Sequence, residues 1–150
     1  MSQALWDEIE QLSETSRNEI LIIRDRDRVK VTAEVFTPTK LVIRLIRQLP
    51  EESFGPGKNV LDPACGDGQF LAVIKFAKMI IWNETEEEAL SEIYGIDILL
   101  ENVKLCKKRL RGGTIVVGDA LNPTAIVPGQ TKADKDLILE LTNSSQRSLF

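Results

Sequence analysis

Two kinds of hydrophobic pattern alternate along the chain. Short apolar runs, typical of buried strands, occur at residues 59–62, 93–97, 114–121 and 136–141. Longer segments with apolar residues at helical spacing occur at residues 69–82 and 99–110, and Thr85 with Glu88 has the spacing of a capping box that opens a short helix at residues 85–92. Strands that alternate with helices predict a mainly parallel sheet, here of about four strands, flanked by helices. The pattern therefore predicts an α/β fold.

The first part of the chain has a helical pattern. Apolar residues at helical spacing predict one helix, and Ser16 with Glu19 has the spacing of a capping box, which opens a helix. We therefore expect two short N-terminal helices. The chain is accordingly divided into an N-terminal helical segment, residues 1–33, and a domain of residues 34–150.

A further helix is predicted directly before the first strand. Thr37 is a suitable N-cap, and Pro38 suits the first turn, where a missing amide hydrogen costs nothing. Pro50 ends this helix. Its apolar face is predicted to consist of Leu41, Val42, Leu45, Ile46 and Leu49.

The amino-acid composition argues against several kinds of site. With 150 residues, of which 43% are hydrophobic, the chain has the size of one globular domain with a continuous core. It has no histidine, and its two cysteines, Cys65 and Cys106, lack the spacing of paired metal ligands. We therefore expect no metal site and no histidine-based catalysis.

Charge and hydropathy bear on the partners of the chain. The formal net charge of −4 does not indicate a nucleic-acid-binding protein, although a local basic surface would still permit contact with DNA. The basic run at residues 104–111 is one candidate, but cations also suit the last turns of a helix, which is the interpretation we favour. No apolar run is long enough to span a membrane, so we expect a cytoplasmic protein without membrane contact.

Acidic residues follow three of the predicted strands. Asp62, Asp97 and Asp119 would meet at the carboxyl edge of the sheet, where open parallel sheets bind their ligands. Gly66 and Gly68 after the first strand allow a sharp turn and the close approach of a ligand. The free amide groups of the helix that follows favour polar ligand atoms. This arrangement is typical of a nucleoside-binding site.

The acids favour a cationic nucleoside over a dinucleotide. Asp62 and Asp67 would repel a pyrophosphate. Asp97 is placed to accept hydrogen bonds from ribose hydroxyls, and Asp119 from the exocyclic amine of an adenine. The apolar walls for the adenine ring are predicted to be Ile98 and Leu121. These properties together predict S-adenosylmethionine, a sulfonium nucleoside without phosphate.

Four short motifs resemble those of one enzyme family. The run DPACGDGQFL at residues 62–71 resembles motif I of the N6-adenine DNA methyltransferases, in particular the modification subunits of restriction systems. VFTP at residues 35–38 is similar to their motif X, and YGIDI at residues 94–98 and GDAL at residues 118–121 are similar to motifs II and III. The resemblance implies a Rossmann-like methyltransferase fold with S-adenosylmethionine as cofactor.

The same resemblance implies a role for each residue of the site. Phe36 and Thr37 are assigned to the methionine end of the cofactor, and Asp97 to its ribose. The residues assigned to the motif I turn are Asp62, Ala64 and Gly66. Those assigned to the adenine are Asp119 and Ala120.

The catalytic motif of the family has no counterpart among the predicted elements. Motif IV, an Asn/Asp-Pro-Pro-aromatic tetrad, directly follows the fourth strand, whereas the predicted fourth strand here is followed by TNSSQ at residues 142–146. We therefore assign no catalytic residue and expect a partial methyltransferase domain. Two hypotheses remain: a DNA adenine methyltransferase completed by another chain, or a silent cofactor-binding, anti-restriction or regulatory module.

A partial sheet would leave its fourth strand as an exposed edge. Exposed strand edges tend to pair or to be covered. We therefore expect a homo-oligomer, or docking onto a larger protein partner, through residues 136–150.

Overall fold

The computed structural model describes the backbone of residues 2–27, 37–143 and 148–149, and the side chains of residues 2–21 and 37–143. In chain order, the α-helices and strands are α1 (Gln3–Asp27), α2 (Thr39–Ile46), β1 (Val60–Asp62), α3 (Gln69–Ile80), α4 (Glu86–Leu90), β2 (Ile93–Asp97), α5 (Leu100–Leu110), β3 (Thr114–Val117), α6 (Lys132–Thr142) and β4 (Ser148–Leu149). A short 3₁₀ helix, Glu51–Phe54, lies between α2 and β1. None of these helices is long and apolar enough to cross a membrane.

The four strands form one parallel sheet in the order β3-β2-β1-β4. The register pairs Asp62 with Gly95, and Gly95 with Ile115, so the carboxyl ends of β1, β2 and β3 lie at one edge. The chain places β2 and β3 on one side of β1 and β4 on the other, so the strand order reverses at β1. The predicted α/β fold with a parallel sheet is confirmed.

Each face of the sheet has its own apolar core. Val60, Ile93 and Ile115 pack with residues of α1, α2, α3 and α5. Leu61 and Val116 face the other way, toward α6. Alternate strand residues point to opposite faces, so both sides of these short strands are buried.

The two predicted N-terminal helices are wrong, because α1 is one helix of 25 residues. Ser16 does not cap a helix. Its hydroxyl donates to the carbonyl of Ser13 (2.8 Å) and accepts from Arg109 Nε (3.0 Å). The capping-box spacing is overridden because this hydroxyl is used in a contact between α1 and α5.

For the helix before β1, the predicted N-cap is wrong and the predicted apolar face is only partly correct. The N-cap of α2 is Pro38, without a side-chain cap, so Thr37 does not have this role. The buried apolar side chains of α2 are Val42, Ile43 and Ile46. Leu41, Leu45 and Leu49 are instead 39%, 42% and 37% exposed. Apolar residues surround most of this helix, and its packing against α1 and α3 decides which stripe is buried.

The predicted fourth strand, residues 136–141, is wrong, because it lies inside α6. Thr131 opens this helix with a capping box that includes Asp134. Ile138 packs over Gly118, where a Cβ atom would lie 1.9 Å from Ile138 Cδ1. A short apolar run does not by itself distinguish a buried strand from a helix segment. The strand that pairs with β1 is β4, and the third strand ends at Val117 rather than at residue 121.

A lysine of α3 lies inside the fold. Lys78 Nζ donates to the carbonyls of Gly55 (3.1 Å) and Lys58 (2.9 Å) and to Glu92 Oε1 (2.6 Å). Glu84, almost fully buried, has an oxygen 3.8 Å from the same ammonium group. Burial raises the pKa of Glu84 to about 7, and the nearby Glu92 carboxyl contributes to the increase. One lysine thus lies beside two carboxyl groups, and the pKa of one of these is strongly raised.

Replacing Glu84 by Gln is expected to change how stability depends on pH. An acid whose pKa is higher in the folded chain binds its proton more tightly there. The free energy of unfolding therefore falls as the pH rises from 4.5, the ordinary pKa of a glutamate, toward about 7, the pKa of Glu84 in the folded chain. The Glu84→Gln variant should gain stability relative to the parent chain between about pH 5 and about pH 8 in urea unfolding. Glu87→Gln, at an exposed position of α4, is the control, and an equal gain there would contradict this account.

Candidate cofactor site

The loop after β1 is held by hydrogen bonds to its own strand and to β2. The amide of Ala64 donates to Asp62 Oδ1 (3.1 Å), and the amide of Cys65 donates to the carbonyl of Ile96 (2.9 Å). The amide of Gly68 then donates to the carbonyl of Cys65 (2.9 Å) directly before α3. These bonds fix the motif I turn at the carboxyl edge of the sheet, at the point where the strand order reverses.

The glycines of this region have two different functions. A Cβ atom at Gly68 would lie 3.0 Å from Cys106 Sγ, and one at Gly95 would lie 3.0 Å from Cys65 Sγ. These two glycines therefore make room for the two buried cysteines. Gly66 has a φ of +55°, and a Cβ atom there would meet nothing within 4 Å. The turn thus leaves open space above Gly66, which a ligand can approach closely.

Asp97 connects the turn to the start of α5. Its Oδ1 accepts from the amide of Gly66 (3.0 Å), and its Oδ2 accepts from the amide of Leu99 and from Asn102 Nδ2, both at 3.0 Å. A carboxylate offers about four acceptor positions, so one position remains for a ligand hydroxyl. Asp97, the residue predicted to bind the ribose, therefore also holds Gly66 in place.

Asp62 lies beside Asp97 and is 6% exposed. Burial raises the pKa of Asp62 to about 6, and the negative charge of Asp97 contributes to the increase, whereas the hydrogen bond from Ala64 opposes it. Two neighbouring carboxyl groups that are shielded from water favour a cationic ligand, because a positive charge would stabilise both ionised forms.

The residues predicted to contact the adenine lie in the loops after β2 and β3. Asp119 is partly buried, and its Oδ1 accepts from the amide of Leu121 (3.0 Å), so that the side chain stabilises a turn. Ala120 is also partly buried. Ile98 is 52% exposed and Leu121 is 97% exposed. The structure brings these residues to the same sheet edge as Asp62.

Thr37, from the segment that resembles motif X, lies beside the glycine turn. Gln69 Nε2 donates to the carbonyl of Thr37 and to Thr39 Oγ1, the latter at 3.2 Å. Thr37 thus lies next to the first residue of α3. Phe36, the other residue assigned to the methionine end, lies outside the described residues.

Asp67 does not point toward a ligand. It is 2% exposed, and its Oδ1 lies 3.6 Å from Arg109 Nη1. Its charge is therefore compensated inside the protein, and only Asp62 supports the argument against a pyrophosphate.

The sequence analysis missed the role of Arg109. Its Nε donates to Ser16 Oγ (3.0 Å), and its Nη2 donates to the carbonyl of Ser13 (3.0 Å) and to Gln69 Oε1 (2.8 Å). Burial lowers its pKa, and the neighbouring Asp67 opposes this effect. A signal was present, because Arg109 follows the buried Cys106 by three positions and therefore lies on the core face of α5.

The sequence of this chain matches one known protein family. Residues 20–112 match the sequence model of a family described as N-6 DNA Methylase, which is more than half of the chain. The chain belongs to the N-6 DNA methylase family. The matched segment contains the motif X, motif I and motif II residues but ends before Asp119. No curated protein matches the sequence.

One solved structure agrees with this assignment. It is described as "a modification subunit of a putative type I restriction enzyme" from Vibrio vulnificus YJ016, and it is similar to this N-6 DNA methylase family member at 25% identity with a TM-score of 0.52. The match covers 71% of this chain but 23% of the solved chain. The resemblance to modification subunits is thus supported in both sequence and fold.

Among the residues that the structure describes, no acidic or cysteine cluster has the arrangement of a metal site.

Arg109→Met is expected to destabilise the protein strongly. The substitution removes one partner of the buried Arg109–Asp67 ion pair, together with the hydrogen bonds from Arg109 to Ser13, Ser16 and Gln69. This loss should lower the free energy of unfolding by about 3 kcal/mol. Urea unfolding at neutral pH measures this change. Lys108→Met, at an exposed position of the same helix turn, should change stability by less than about 0.5 kcal/mol. Equal effects of the two substitutions would contradict the role given to Arg109.

Proposed function

We propose that this chain binds S-adenosylmethionine and forms the cofactor-binding part of an adenine-N6 DNA methyltransferase. The observation that carries the proposal is the open space above Gly66, bordered by Asp62 and Asp97 where the strand order reverses. The family match and the fold support it. The site is proposed to lie within residues 34–150.

The chemistry of the lining residues fits this cofactor. The positive charges of the cofactor suit the two adjacent carboxyl groups of Asp62 and Asp97. The described glycine turn, residues 62–69, contains no lysine or arginine that could bind a phosphate, and this cofactor has none. Asp97 retains one acceptor position for a ribose hydroxyl. Ile98, Asp119, Ala120 and Leu121 are proposed to contact the adenine, with the loop after β3 closing over the ring.

The residues of this chain are proposed to bind and orient the cofactor. S-adenosylmethionine, when bound, supplies an electrophilic methyl group. Asp97 would hold the ribose, Asp62 with Ala64 and Gly66 would form the floor of the site, and Phe36 and Thr37 are the residues proposed for the methionine end. A cofactor fixed at both ends would present its methyl group in one direction, as in-line transfer requires.

The residues that would hold a target adenine are proposed to come from outside these elements. Residues 136–141, taken above as the fourth strand, belong to α6, so the comparison of the following residues with motif IV used the wrong element. No Asn-Pro-Pro-aromatic tetrad occurs in residues 1–150. We therefore propose that this chain alone transfers no methyl group.

A protein partner is proposed to complete the sheet. The chain spans 23% of the similar modification subunit, so most of that subunit has no counterpart here. The outer edge of β4 is the position where further strands, or a second copy of the chain, would pair. DNA contact is proposed only for the completed protein, in the cytoplasm.

The variant Gly66→Ala is expected to weaken the binding of S-adenosylmethionine. The added methyl group would occupy the space proposed for the ligand and raise the dissociation constant by about tenfold or more, measured by titration calorimetry. Gly57→Ala is a matched control, because Gly57 also has a positive φ (+80°) and open space around a Cβ atom but precedes β1.

The two variants separate backbone strain from occupation of the site. Both should lose similar stability, since each places alanine at a positive φ. Weakened binding in Gly66→Ala alone supports the proposal. Equal weakening in both variants, or no binding of S-adenosylmethionine or its demethylated product by the parent chain, would refute it.

A further inference from the structure

One chain of buried polar contacts joins α5 to the motif X segment. It runs from Arg109 Nη2 to Gln69 Oε1 (2.8 Å), and from Gln69 Nε2 to the carbonyl of Thr37. Arg109 and Gln69 are 3% and 6% exposed, so water does not compete effectively for these bonds.

The amide of Gln69 suits this position for a simple chemical reason. Its oxygen accepts from the guanidinium group, and its nitrogen donates in two directions, to the carbonyl of Thr37 and to Thr39 Oγ1. Glu lacks the two donors and Met lacks both functions. Because Arg109 engages the oxygen, the nitrogen is turned toward Thr37.

We propose that Gln69, oriented by Arg109, is a positioning residue that holds the backbone at Thr37 against the glycine turn and so shapes the methionine end of the site. The inference rests on the proposed function. Gln69 has no contact with the ribose or adenine positions, since those lie with Asp97 and Asp119. Its effect should therefore be confined to one part of the ligand.

The same contacts connect the site to α1. Arg109 donates to Ser13 and Ser16 of α1, and Thr39 Oγ1 donates to Glu14 of the same helix. The N-terminal helix thus contacts both ends of the connection between Arg109 and Thr39. A change at Gln69 removes the link in the middle and leaves the contacts to α1 in place.

The experiment compares two ligands that differ only at the methionine end. Calorimetry measures the dissociation constants of S-adenosylmethionine and of 5′-methylthioadenosine, which lacks the aminocarboxyl group and the positive charge. Gln69→Glu keeps an acceptor for Arg109 but cannot donate to Thr37. We expect this variant to raise the dissociation constant of S-adenosylmethionine about tenfold and that of 5′-methylthioadenosine less than about twofold.

Two further variants keep the test decisive. If Gln69→Glu does not fold, Gln69→Met serves in its place, with the same expected difference between the ligands. Lys78→Met is the control, because Lys78 is a buried hydrogen-bonding residue of α3 whose partners Gly55, Lys58 and Glu92 lie before β1 and β2, away from the carboxyl edge of the sheet. It should lose stability without changing the ratio of the two dissociation constants.

Each outcome has a distinct meaning. Selective weakening of S-adenosylmethionine by the Gln69 variants supports the inference. Equal weakening of both ligands, no weakening, or the same ratio change in Lys78→Met overturns it while leaving the proposed function intact. If the parent chain binds neither ligand, the proposed function itself has failed.

Discussion

Arg109 places a positive charge at the centre of the packing between α1, α3 and α5, and the geometry of the candidate site depends on how this charge is satisfied. Its partners are a carboxylate of the glycine turn, an amide at the start of α3 and two groups on α1. A buried guanidinium is costly unless hydrogen bonds and a nearby carboxylate compensate its charge. These contacts join the three helices to the turn that they surround.

This constraint explains why only a few groups face the candidate site. Asp67 and Gln69 turn inward, the cysteines fill the space left by Gly68 and Gly95, and Asp62, Gly66 and Asp97 remain at the sheet edge. Neighbouring buried carboxyl groups are costly to ionise without a counter-charge, as the raised pKa of Asp62 indicates. A cationic nucleoside would supply that charge, which links the stability of the turn to its proposed ligand.

The sequence predicted those parts of the fold in which local and tertiary preferences agree. Thr85 with Glu88 forms the predicted capping box of α4, and β2 has the predicted bounds. Ser16 with Glu19 has the same spacing but lies inside α1, because Arg109, 93 positions away, uses the Ser16 hydroxyl. The run at residues 136–141 was read as a strand because a short apolar segment satisfies both periods.

The candidate site also contains residues whose positions follow from local sequence patterns and residues whose contacts do not. The positions of Asp62, Gly66 and Asp97 at one sheet edge were predictable because a strand, a glycine turn and a second acid follow one another in a known order. The role of Gln69 depends on contacts with residues 30 and more positions away, which no local pattern contains.

The most direct test of the account is a titration of the ¹⁵N-labelled chain with S-adenosylmethionine, followed by two-dimensional amide NMR. The account predicts saturable shifts concentrated at residues 62–69, 97–99 and 118–121, around the carboxyl edge of the sheet. An absence of shifts, or shifts centred on α6 or on the exposed face of α2, would contradict it.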